Sequence, residues 1–174
     1  MDLLDLFERG SAWTSEKVAG AKDNLEAQTP CKSWKVRDVV NHLIQGNEFF
    51  QASARGEQAP LDDPPPDVIG DGPSDIYDRA RKATTAVFSG EGVIDKTGPK
   101  LGIAFVDQLV HGWDIAEATG QDTMMPDDLA QAAFGMVDGR LTDEQRGKFF
   151  GPEVKVPETA SAQEKLLGYV GRTP

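Results

Sequence analysis

The stretch Phe105–Gly120, "FVDQLVHGWDIAEATG", decides how this chain is read. Phe105, Val106, Leu109, Val110, Trp113, Ile115 and Ala116 point around almost the whole circumference of a helix, and a helix that is apolar on most sides is buried on most sides. Along one side of it run Asp107, Gln108, His111 and Asp114. Polar groups on a buried helix either pair or bind something. Gly120 ends the segment, since glycine readily takes the left-handed cap.

Working outward, helical signals dominate. Leu3, Leu4, Phe7, Trp13, Val18 and Leu25 predict a first helix over about 3–27, with Gly10 as a candidate break. Pro30 separates it from "WKVRDVVNHLIQGNEFF", a second helix for which Ser33 is the expected N-cap. The next segment, "RGEQAPLDDPPPDVIGDGP", holds five prolines and reads as a long, solvated connection. Ser74 is the expected cap of a third helix reaching about Phe88, and a short glycine-containing link leads to the helix of the opening stretch. Beyond it come a helix in "MPDDLAQAAFGMVDG", a short one around "TDEQRGKF", an extended piece "EVKV" and a final helix near Ala160–Tyr169. The economical architecture is all-α: one domain over 1–174, an antiparallel four-helix bundle over about 1–120 with C-terminal additions over about 121–174.

Composition narrows the classes. The 174 residues are 39% hydrophobic and 27% charged, a globular balance. A net charge of -11 would repel phosphate backbones, so nucleic acid is not an expected partner. No apolar run approaches the roughly 20 residues of a membrane helix, and the acidic start "MDLLDLFERG" is unlike a secretory signal, so a cytoplasmic location is expected. The single cysteine, Cys31, excludes an intramolecular disulfide and a multi-cysteine metal site and reads as a small half-buried side chain. The aspartates of "LDDPPPD" lack the glycine turn of a calcium loop, and no phosphate-cradling loop, nucleophile elbow or dinucleotide fingerprint is present.

The chain has two histidines, His42 and His111, both in helices read as core. Asp107 precedes His111 by four residues, so the two side chains leave one helix face a turn apart. An imidazole and a carboxylate so spaced can meet on one metal ion, and His42 can supply a third ligand from the second helix. Three protein ligands leave a coordination position open, the pattern of catalytic rather than structural sites. Gly46, one turn from His42, and Ala104 and Ala118 leave room nearby. Asp114, three residues after His111, can fix its tautomer or accept a proton. The same spacing is equally that of hydrogen-bonded core histidines, and spacing alone leaves both readings open. Trp34 and Trp113 read as core or pocket wall.

"TPCKSWKVRDVVNHLI" followed far downstream by "VDQLVHGWDIAEATG" resembles the DinB-like, or YfiT-like, metal-binding superfamily, on the branch related to the N-terminal domain of mycothiol-dependent maleylpyruvate isomerase. The ending "FGPEVKVPETASAQEKLLGYVGR" resembles the short single-domain members of that branch. The resemblance implies a four-helix bundle holding a divalent metal, zinc or nickel, on the histidine of "VxxHL" (His42) and on a Glu/His-x-x-x-His pair, here Asp107 and His111. Asp114 matches an aspartate common in the branch. Here the first member of the pair is aspartate, one methylene shorter than glutamate. The resemblance further implies a low-molecular-weight thiol such as mycothiol as co-substrate, in isomerase or S-transferase chemistry on a small electrophile. The alternative is a non-catalytic small-molecule-binding or interaction protein on a degenerate bundle. A homodimer is expected under either reading.

Overall fold

The computed structural model describes residues 2–31, 33–70, 72–142, 144, 146 and 150–174. Among the described residues there are six helices and no strand: α1 Leu3–Gly20, α2 Val36–Ala54, α3 Pro73–Phe88, α4 Val93–Thr119, α5 Asp127–Val137 and α6 Ala162–Tyr169. None is long and apolar enough to cross a membrane. The chain divides into two compact units, Met1–Thr123 and Met124–Pro174.

In the first unit α1 packs on α3 and α4, and α2 packs on the same two helices, so the four close into a bundle. Val18, Val40, Leu43, Tyr77 and Ile115 meet in one of its core clusters. The α1–α4 crossing is close because Gly112 has no side chain. A Cβ there would stand 2.6 Å from Thr14 Oγ1 and 2.7 Å from the Trp13 ring. Thr14 Oγ1 also donates to the Gln108 carbonyl at 2.8 Å, tying the two helices one turn away.

Several helix ends differ from the sequence expectation. α1 runs unbroken through Gly10, which the Phe105 ring packs against, and stops at Gly20 rather than near 27. Leu25 is nonetheless buried, because the connection folds back. Val36 N–H donates to the Ala27 carbonyl and Arg37 N–H to the Leu25 carbonyl, both at 2.9 Å. That pairing extends the backbone up to Lys35, so Ser33 lies outside α2. Lys35 takes the cap position, and the Asp38 carboxylate accepts its N–H at 2.9 Å. α3 starts on Pro73, whose missing N–H costs nothing in a first turn, and this puts Ser74 inside the helix.

The 55–72 connection is exposed along most of its length but is more than a solvated loop. Ile69 is buried in the core cluster at 2% exposure, and three aspartates bond to side chains of α2 or of the segment before it. Cys31 is half-buried.

In the second unit Ser161 and Glu164 form a reciprocal cap on α6, with the Glu164 carboxylate accepting the Ser161 N–H at 2.7 Å. "EVKV" is not a paired strand. Val154 N–H instead donates to the Gly168 carbonyl at 2.8 Å. The helix expected around "TDEQRGKF" falls largely outside the described residues.

Candidate metal centre

Asp107, Gln108, His111 and Asp114 each have an identifiable partner. Gln108 Oε1 accepts a short hydrogen bond from the buried Tyr77 hydroxyl of α3. Asp107 faces His42 of α2, with Asp107 Oδ1 3.4 Å from His42 Nε2 and 3.5 Å from His111 Nε2. Asp114 Oδ2 lies 2.9 Å from His111 Nδ1. Burial and polarity are reconciled by pairing across α1, α3 and α4 on one flank and across α2 and α4 on the other.

The structure brings His42, Asp107 and His111 together, each offering one ligand atom, with all three atoms within 4.8 Å of one another. At 3.4 and 3.5 Å the contacts to Asp107 are long for N–H···O hydrogen bonds, whose usual length is about 2.9–3.0 Å. They suit ligands of a tetrahedral ion, whose bonds of roughly 2.0–2.1 Å set neighbouring donors about 3.3–3.4 Å apart. Two imidazole nitrogens and a carboxylate oxygen are also a donor set that zinc and nickel accept. On both counts the residues fit a divalent cation.

Asp114 fixes the geometry from behind. A carboxylate only accepts, so His111 Nδ1 carries a proton and Nε2 is the ring atom turned toward Asp107. The Asp114 side chain is fully buried, whereas Asp107 remains 24% exposed and His42 14%. The cluster therefore has a buried back and an opening on the Asp107 side. Gly46 widens it there, since a Cβ at that position would meet only Asp107 Oδ2, at 3.7 Å.

Trp34, read from sequence only as core or pocket wall, has a specific place. Its ring lies 4.7 Å from the His42 ring and 5.8 Å from that of His111, and its indole N–H donates to Asp63 of the proline-rich connection at 3.2 Å. Gln45, which sequence reasoning missed, donates to the neighbouring Asp62 at 3.3 Å. Its signal was its position three residues after His42, which only a known ligand role for His42 would have made informative.

Residues 7–87 match the family model of the mycothiol maleylpyruvate isomerase N-terminal domain. Two Mycobacterium tuberculosis proteins, the uncharacterized proteins MT0763 of strain CDC 1551 / Oshkosh and Rv0738 of strain H37Rv, are each 28% identical to the chain, over 99% of both sequences. No solved structure matches it. The family match takes in the first of the two helix motifs, with His42, and ends before the second; with the bundle, it makes the chain's resemblance one to the DinB/YfiT-like superfamily, on the branch of the mycothiol maleylpyruvate isomerase N-terminal domain.

Proposed function

We propose that the chain binds a divalent metal ion, zinc or nickel, through His42, Asp107 and His111, and that it uses a thiol of the mycothiol type in an S-transferase or isomerase reaction on a small electrophile. The observation that carries the reading is the convergence of those three side chains, whose ligand atoms lie within 4.8 Å of one another. The family match over residues 7–87 supports the thiol.

A divalent ion at this point would supply the positive charge that ionises a thiol and holds it as thiolate, the nucleophilic form. The protein's own contribution is positional. Asp114 keeps His111 in one tautomer, and the Trp34 ring closes one side of the cluster to water. Asp107, the most exposed of the three, marks the side from which thiol and electrophile enter. Asp114 is shut away from that side, so it is a positioning residue rather than a proton carrier to substrate.

Protein purified without chelator and freed of its tag should carry one transition-metal ion per chain, and His42→Ala and His111→Ala should each abolish it. Loaded protein should consume thiol in the presence of a model electrophile such as 1-chloro-2,4-dinitrobenzene. A melting temperature unmoved by metal, with no thiol consumed, would overturn the reading. The protein would then be a non-catalytic binding bundle. One observation favours that second reading: His42 and His111 already pack edge-to-face at 4.9 Å under Trp34, a contact that needs no ion.

A further inference from the structure

Gln45 presents an anomaly that the metal centre does not use. It is 6% exposed, and its Oε1 is the one buried side-chain polar atom with no hydrogen-bond partner among the described residues. The orientation of the amide is set by its neighbour. Asp62 Oδ2, 3.3 Å from Gln45 Nε2, can only accept, which commits the nitrogen to Asp62 and turns the carbonyl oxygen away. A buried acceptor left unpaired is a standing cost, so the closed structure holds an acceptor awaiting a donor. Gln45 stands three residues from His42, a neighbouring position on the helix surface.

The surroundings specify what kind of donor fits. Asp62 and Asp63 border this side of α2, and Asp107 lies across it. The cations of the same region are engaged: Arg37 with Glu26, Asp67 and the Gly70 carbonyl, and Lys35 with Glu26. The local field is therefore negative and favours a positive ligand.

We propose that Gln45 Oε1 and the Asp62 carboxylate form a recognition point beside the His42 cluster for the protonated amine of a small ligand. An ammonium carries three donors, enough to satisfy Oε1 and Asp62 together, whereas a hydroxyl carries one and a carboxylate none. Asp62 and Asp63 are exposed, so the amine arrives from the loop side; it replaces the Asp62–Nε2 bond, Asp62 accepting one of its N–H donors and the amide turning so that Oε1 accepts another. What such a ligand then undergoes rests on the metal-and-thiol reading; its binding does not.

The test uses three thiols that differ only in their far end: 2-aminoethanethiol, 2-mercaptoethanol and 3-mercaptopropionate. Each is titrated into chelator-treated, ¹⁵N-labelled full chain while the Gln45 side-chain amide and the Trp34 indole N–H are followed by NMR. The amine should bind at least about tenfold more tightly than the other two, as expected when a charge-assisted bond replaces a neutral one or none. Gln45→Met, similar in length and lacking the acceptor, should remove the preference while leaving the melting temperature equal or higher. Equal binding of all three, signals that none of them moves, or a preference that survives in Gln45→Met would each overturn the proposal. Because metal is absent throughout, failure here is distinguishable from failure of the metal reading, which the metal content of the untreated protein decides.

Discussion

Asp114 Oδ2 sits 2.9 Å from His111 Nδ1, with none of the Asp114 side chain exposed. That pair makes the presentation of His111 to the cluster a property of the protein's interior rather than of any ligand. Asp114→Asn keeps the shape and removes the charge. It should lower metal affinity about 10- to 100-fold, as loss of a partner behind a ligating histidine does. Competition against a chromophoric chelator measures this. An unchanged affinity would deny Asp114 its positioning role.

Gly112 governs how closely α1 and α4 approach. A Cβ there falls 2.6 Å from Thr14 Oγ1 and 2.7 Å from Trp13, an aromatic ring with little freedom to retreat. Gly112→Ala should therefore destabilise the fold by about 1–3 kcal/mol, the usual cost of overpacking, despite alanine's better helix propensity. Urea denaturation reads it.

Tyr77 joins three helices through one hydroxyl, donating to Gln108 Oε1 and lying 3.3 Å from the Ser11 carbonyl. Tyr77→Phe leaves Gln108 without that donor inside the bundle and should cost about 1–3 kcal/mol. Burial pushes the Tyr77 pKa well above its ordinary value. Unfolded tyrosine loses its proton near pH 10 while Tyr77 keeps it, so the native state binds more protons and stability falls as pH rises beyond that point. The Phe variant should lose this part of the alkaline decline.

Asp78 behaves in the opposite sense. Its carboxylate accepts from Ser15 at 2.7 Å and from Arg81 at 2.6 Å, and these bonds hold its pKa at about 2. With the folded value depressed, the contribution is complete above the ordinary 3.8 and is lost as pH falls toward 2. Ser15→Ala removes the largest cause, so NMR titration should find the Asp78 pKa moved up toward 3.8.

The helices themselves were legible because burial leaves a period: Val39, Val40 and Leu43 on α2, or Leu109, Val110 and Trp113 on α4, could be placed without coordinates. The convergence of Asp107 and His111 followed from their four-residue spacing. The caps were not legible at Ser33 and Ser74, where residue preference pointed one way and chain geometry another. The backbone pairing of residues 25–27 with 36–37 fixes where α2 begins, and Pro73 fixes α3. The depth of Asp114 and the pinning of the proline-rich segment onto α2 were equally out of reach. Both depend on contacts between residues 17 or more apart or on how deep a face lies, which local spacing does not encode.

Ile69 gives the 55–72 connection a root. Its side chain is sunk in the core, while residues 58–63 meet α2 and Trp34 through single polar bonds at Asp62 and Asp63. Residues 58–61 can thus be exchanged, lengthened or shortened in a library without uprooting the segment, whereas the same edits at 67–69 strike the anchor. A designer seeking to change what the protein admits has a cassette there, and it leaves the donor set untouched.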